Sequence, residues 1–314
     1  MASTMRIAAA QASPVYLDRE KTIHKVCGLI MEASSKSAKL IVFPEAFVPG
    51  YPDWTWVVPN YRGDVLNNLY SKLLENSVSV DRGHLDTICR AAKSGKIWVV
   101  LGVHERNSEA SDKSLYNSVV MIDDNGFICH VHRKLIPTGG ERMVWGQGQG
   151  DDLKVVSSSF ATIGSLICWE NYMPLARQAL YNQGMEILAA PTWDKSDNWI
   201  QSMQHIAREG GTYVISSCMA LRMDDIPDAM GFREFYPGDR EWINTGRGCI
   251  ISPKGKILAG PIEEKEEIIY ADFDPEEIAS AKRLFDAAGH YSRPDVFKFA
   301  VNVDQEKDPK PDLG

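Results

Sequence analysis

The chain has 314 residues, with 34 Lys+Arg against 42 Asp+Glu for a formal net charge of −8, and it is 44% hydrophobic and 24% charged. That composition supports a sizeable core and excludes a disordered chain, and its acidic balance lacks the clustered cations that nucleic acid or an anionic membrane requires. The longest apolar runs, such as 97–103, fall far short of the roughly 18–20 residues that cross a bilayer.

The opening MASTMRIAAAQAS has no basic start followed by an apolar core, so no export leader is expected. Residues 5–11 read as a short apolar strand. From Asp18, a candidate N-cap, the positions Ile23, Val26, Cys27 and Ile30 follow i, i+3, i+4, i+7 and predict an amphipathic helix. A strand over 39–43 ends at Pro44, helices are expected near 62–76 and 82–94, and a strand over 97–103 follows. Strands near 115–122 and 127–131 flank Asp123-Asp124-Asn125-Gly126, a hairpin turn signal.

After a Gly-rich loop over 132–150 come strands near 153–157 and 160–167, a helix near 173–183, a strand over 186–190, a helix near 197–209 and a strand over 212–217. Residues 249–252 and 256–258 pair across Pro253-Lys254-Gly255. A last strand ends near Asp272, and Asp274 caps a helix running to about Leu284. Residues 1–303 thus read as one domain, and the charged, Pro-containing stretch 304–314 as a disordered tail. Helices interleaved with both crossovers and hairpins predict an α/β fold with a mixed sheet rather than a doubly wound one. Gly146-Gln147-Gly148-Gln149-Gly150 resembles a phosphate loop only in glycine count, because it does not join a strand to a helix in the required way.

The six cysteines (27, 89, 129, 168, 218 and 249) are widely spaced, with no C-x-x-C pair, no zinc-type grouping with His and no Asn-x-Ser/Thr site in the chain. Six reduced thiols in a soluble cytoplasmic protein without metal or organic cofactor are the expectation. Cys168 stands apart. In GSLICWENY it ends an apolar strand just before a helix whose Pro174 suits the first turn, where helix N–H groups favour thiolate. Core burial is the commoner fate of a cysteine. Glu45, in IVFPEAF, closes another strand among apolar neighbours, where burial would raise its pKa toward that of a useful base. Lys134, in HRKLIPT, supplies a cation able to pair with Glu45 and to stabilise negative charge on a substrate, although most lysines are simply solvated. Glu141, in GER, has the same ordinary alternative. Spacing alone does not bring these residues together.

The segments FPEAFVPGYP (43–52), HRKLIPTGGER (132–142) and CWENYMPLAR (168–177) resemble, in order, the Glu, Lys and Cys segments of the nitrilase superfamily. RIAAAQASP near the start, NTGRGCIISPKGKILAGP (244–261) and GHYSRPDVF (289–297) extend the likeness over nearly the whole chain. The CWE form and the last segment are similar to the true nitrilase branch rather than to amidases or carbamoylases. The resemblance implies a four-layer α-β-β-α sandwich, with Cys168 as nucleophile, Glu45 as general base, Lys134 as stabilising cation and Glu141 as a second, supporting carboxylate.

The reaction implied is hydrolysis of an organic nitrile, arylaceto- or aliphatic, to acid and ammonia through a cysteine thioimidate and thioester. Loss of thiolate instead of ammonia from the tetrahedral intermediate would give amide, as in the related cyanide hydratases. Tyr51, Trp169 and Trp193 lie beside the motifs and are candidates for an aromatic-tolerant pocket, core packing being the alternative. His132 and His205 read as structural, hydrogen-bonding histidines. The family tendency implies self-association into dimers and spiral homo-oligomers. A catalytically silent assembly protein is the rival from another class, and a thiol redox sensor is weaker because no resolving cysteine lies nearby in sequence.

Overall fold

A computed structural model describes residues 5–107 and 111–303, so the stretch expected to form a disordered tail lies outside the described residues. The first half of the chain builds β1 (Met5–Gln11), α1 (Arg19–Ser35), β2 (Ala38–Val42), α2 (Gly63–Asn76), α3 (Asp86–Gly95), β3 (Trp98–Arg106), β4 (Leu115–Ile122) and β5 (Ile128–Arg133). Asp18 accepts from the Lys21 N–H at 3.0 Å and caps α1, a contact typically worth about 1 kcal/mol. The second half builds β6 (Val156–Ser157), β7 (Thr162–Ser165), α4 (Pro174–Tyr181), β8 (Ile187–Thr192), α5 (Asp197–Gly210), β9 (Tyr213–Cys218), β10 (Ala220–Arg222), β11 (Trp242–Thr245), β12 (Cys249–Ile251), β13 (Ile257–Ala259), β14 (Glu267–Phe273) and α6 (Pro275–Leu284). The predicted order holds, with two additions. β10 and β11, too short and mixed to show an apolar period, pair only with each other.

Two six-stranded sheets form, in the orders β14-β1-β2-β3-β4-β5 and β13-β12-β9-β8-β7-β6. Each has a parallel trio at its centre, β1-β2-β3 in one and β7-β8-β9 in the other, flanked by antiparallel strands. The strand period of two divides the core into layers. Ala8, Ala10, Ile41, Val99 and Leu101 face α1 and α3 through Ile23, Val26, Ile30, Ile88 and Ala92. Their neighbours Ile7, Ala9, Leu40, Val42 and Val100 face the second sheet, meeting Ile163, Ile187, Ala189, Ile215 and Ile250. The far side of that sheet, with Leu188, Ala190 and Val214, is covered by Leu180 of α4 and Trp199, Met203 and Ile206 of α5. Strands apolar on both faces must be covered on both, and the result is a four-layer α-β-β-α sandwich. Among the described residues no helix is long and apolar enough to cross a membrane.

Candidate active site

Glu45 follows β2, the middle strand of the first parallel trio, where α/β sheets place ligands. The turn at 44–46 lies flat on β3 because residue 102 is glycine: a Cβ there would meet the Pro44 carbonyl oxygen at 2.1 Å. The Glu45 side chain is fully buried. Its Oε1 accepts from Asn117 Nδ2 and from Lys134 Nζ, each at 2.7 Å, while Oε2 has no partner. Burial pushes the carboxyl above the ordinary range, Lys134 pulls it back, and Glu141 adds to the rise. One oxygen is therefore held and the other left free to take a proton.

Lys134 leaves the end of β5, its backbone N–H on the Asn117 carbonyl at 2.8 Å. Its Nζ is fully buried between Glu45 Oε1 and Glu141 Oε2, the latter at 2.8 Å. Burial alone would push the ammonium down, but the charges of Glu45, Cys168 and Glu141 outweigh it and hold Lys134 protonated. Glu141 belongs to a short 3₁₀ turn, Gly139–Met143, and its Oε2 also accepts the Thr138 N–H at 2.6 Å. Its Oε1 accepts from the Tyr51 hydroxyl at 2.6 Å. Tyr51 is buried, receives Trp56 Nε1 at 3.1 Å, and stacks on Trp193 with centroids 4.3 Å apart at 5°. Behind it, His104 donates to Gly50 and accepts from Trp145 Nε1. Burial pushes that imidazole down to about 3, so it stays neutral.

Cys168 comes from the other sheet, just past β7. It has a left-handed backbone, φ 51°, a conformation costing an L-residue about 1–2 kcal/mol. Asn171 locks the turn, donating from Nδ2 to the Leu166 and Cys168 carbonyls at 2.7 and 2.9 Å. Glu170 ties the turn to the first sheet: its buried carboxylate accepts from Ile167 N, Leu135 N and His132 Nε2, all at 2.8 Å. Burial pushes His132 down, and Glu170 overrides it, leaving the imidazole raised. The Cys168 sulfur accepts from the Thr192 hydroxyl at 3.2 Å.

The local sequence pattern predicted helix N–H groups lowering the Cys168 thiol. The structure corrects this. Cys168 opens a one-turn 3₁₀ segment, Cys168–Tyr172, ahead of α4, and burial with the charge of Glu45 pushes the thiol far up, against the pull of Lys134. A base within reach is therefore a requirement for thiolate chemistry here.

Glu45, Lys134 and Glu141 are in direct contact, and Cys168 lies close enough for all three charges to act on it. Trp169, half exposed, is fixed by Asp194 Oδ2 at 2.8 Å. Sequence reasoning did not single out Asn117, Glu170 or Thr192; Asn117 and Thr192 carry the signal of a polar residue in a largely apolar strand, and Glu170 carries none. His205 lies away from this cluster, exposed on α5 beside Glu209. Among the described residues no group of three or more His, Cys, Asp or Glu side chains could hold a metal ion.

The family model for carbon-nitrogen hydrolases matches residues 6–283. An aliphatic nitrilase of Sinorhizobium fredii is 38% identical over 95% of this chain and 95% of its own length. A bifunctional nitrilase/nitrile hydratase of Nicotiana tabacum is 39% identical over 95% of this chain and 86% of its own. Among solved structures, a carbon-nitrogen hydrolase of Helicobacter pylori superposes with a TM-score of 0.69 at 20% identity, covering 94% of this chain and 97% of its own, which speaks for the fold alone. The chain belongs to the carbon-nitrogen hydrolase family, in its nitrilase branch.

Proposed function

We propose that this protein hydrolyses an organic nitrile to carboxylic acid and ammonia, with Cys168 as nucleophile, Glu45 as general base, Lys134 as stabilising cation and Glu141 as its second carboxylate. The observation that carries the reading is the free Glu45 Oε2 in a cluster whose other contacts are satisfied by Asn117, Lys134, Tyr51 and Thr138. A nitrile carbon is a weak electrophile and needs a strong nucleophile, with a donor where charge grows on nitrogen.

The Cys168 proton passes to Glu45 as the sulfur pair forms the C–S bond. One π pair of the nitrile moves to nitrogen, which takes that proton from Glu45, leaving a neutral thioimidate and an ionised Glu45. Water adds as it gives a proton to Glu45, which passes it to nitrogen. The proton of the new hydroxyl follows the same path, so ammonia departs to leave a thioester. A second water deprotonated by Glu45 releases the acid as that proton returns to the Cys168 sulfur. Proton transfer from Cys168 to Glu45 takes place inside the buried cluster, whose net charge is the sum over all its members. Moving the Cys168 proton onto Glu45 leaves that charge unchanged. The transfer therefore avoids the cost of creating a new charge in a low-dielectric site.

Trp169 follows Cys168 in the chain, and Trp193, next to Thr192, stacks on Tyr51; aromatic surface near the nucleophile supports arylaceto- or aliphatic nitriles as substrates. Tyr51 itself serves mainly through its bond to Glu141. A reducing compartment suits a thiol nucleophile and six free cysteines. Exposed Leu175, Tyr291 and Phe297 around one surface cleft support self-association into dimers and longer assemblies. Ammonia release from a nitrile panel, with product mass separating acid from amide, tests the reading. Cys168→Ala is expected to lower turnover at least 10⁴-fold, and a variant working at the wild-type rate overturns it.

A further inference from the structure

We propose that Thr192 is a further catalytic residue of this reaction, its hydroxyl donating to the Cys168 sulfur and stabilising the thiolate as it attacks. The inference rests on the reading of Cys168 as nucleophile and adds a group that none of the matching motifs contains.

Thr192 is the last residue of β8, the strand beside the Cys168 turn in the second sheet, and it is fully buried. Four of the five residues before it in the strand are Ile, Leu and Ala, so a hydroxyl at its end is the one polar side chain of that segment. A buried hydroxyl needs partners for both its lone pair and its proton. The Asp194 backbone N–H supplies the first, donating to Oγ1 at 2.9 Å. The hydroxyl proton is then left to point at Cys168 Sγ, 3.2 Å away. Hydrogen bonds in such a chain polarise one another, so the Asp194 N–H strengthens the donor that the sulfur receives.

The chain is held rigidly. Asp194 Oδ1 accepts the Ser196 N–H at 2.8 Å, and Oδ2 fixes Trp169 Nε1 at the same distance. The turn that aims Thr192 at the nucleophile thus also anchors the aromatic wall beside it. A donor to sulfur is worth more when sulfur is anionic than when it is a thiol. The bond therefore strengthens as Cys168 loses its proton to Glu45. It acts in the same direction as Lys134, against the burial that pushes the thiol up. Thr192 keeps its own proton throughout.

Thr192→Val removes the hydroxyl with little change of volume and retains a β-branched strand residue, whereas Thr192→Ser keeps the hydroxyl. Two readouts are needed. One is the pH dependence of iodoacetamide alkylation at Cys168, followed by the mass of the peptide that carries it, which does not depend on nitrile turnover. The other is ammonia release from a nitrile. Thr192→Val is expected to move the alkylation midpoint up by about one pH unit and to lower kcat about tenfold with KM little changed. Thr192→Ser is expected to restore most of both.

A folded Thr192→Val with the wild-type midpoint and kcat overturns the proposal. So does a loss of kcat with an unmoved midpoint, since the hydroxyl would then serve packing alone. If Thr192→Val does not fold, Thr192→Ala against Thr192→Ser carries the same comparison. Full turnover by Cys168→Ala would instead remove the nucleophile reading beneath it, which keeps the two failures distinct.

Discussion

Two buried carboxylate clusters hang on one loop, the stretch after β2 that carries Glu45, Tyr51 and Asp53, and they solve the problem of burial differently. In the first, Lys134 sits between Glu45 and Glu141 and sets one cation against both carboxylates. In the second, Asp53 is buried against two tyrosine hydroxyls, with no paired cation among the described residues: Tyr16 donates to Oδ1 at 2.6 Å and Tyr236 donates to Oδ2. Without a cation, burial pushes Asp53 up to about 7, although the Tyr16 bond pulls the other way. A cation offsets part of the cost of ionising a buried carboxylate and so favours its base form. Hydroxyls alone leave one that titrates near neutrality.

Removing the cation should erase the difference. Lys134→Met, close in volume, is expected to cost about 3–5 kcal/mol in unfolding free energy, because two carboxylates are left buried without a counter-charge. Ammonia release should fall about 10³-fold or more. Calorimetry and turnover measure the two effects, and activity within tenfold of wild type would refute the role given to Lys134.

The second cluster predicts a pH effect of known sign. Asp53 binds its proton more tightly folded than unfolded, so its favourable contribution is complete below about 4 and is lost as pH rises through about 7. Asp53→Asn should flatten that loss, and it should be more stable than wild type at pH 8 by about 2–4 kcal/mol with turnover near normal. Equal slopes of unfolding free energy against pH for the two proteins would show that Asp53 does not titrate in this window.

The smallest effect is expected at the residue joining the clusters. Tyr51 gives its hydroxyl to Glu141 and its backbone carbonyl to the Tyr16 hydroxyl at 3.3 Å. Tyr51→Phe removes the bond to Glu141 and the one its hydroxyl accepts from Trp56 Nε1 while leaving the backbone contact, so kcat should fall about 5–15-fold, matching a net hydrogen bond to Glu141 of about 1–1.5 kcal/mol. Stability across pH should keep the wild-type shape, because Asp53 is untouched. A changed shape would mean that the two clusters are coupled.

Much of the scaffold was legible before any coordinates. Apolar runs marked the long strands, and Asp18, Pro174 and Asp274 marked helix starts, because caps and periodicity are local properties. β10 and β11 were illegible because three- and four-residue strands owe their form to pairing with each other. In the site, the motifs named Glu45, Lys134, Glu141 and Cys168. Their approach across two sheets is a tertiary fact that spacing does not encode. The sign of the Cys168 shift was misread for the same reason: a turn signal is visible in sequence, whereas the burial that overrides it is not. Thr192 and Asn117 show as polar letters in apolar strands, but their partners lie in turns that follow other strands.

The sandwich also acts as a gauge. Glu45 and Lys134 are fixed to one sheet, Cys168 and Thr192 to the other, and between the sheets lies a layer of packed side chains whose small members include Ala9, Ala161, Ala189 and Ala271. The thickness of that layer sets the gap across which a proton must pass. A misplacement of about 1 Å can cost on the order of a hundredfold in rate. The methyl groups of those alanines, which touch no substrate, therefore take part in defining the stroke of the reaction.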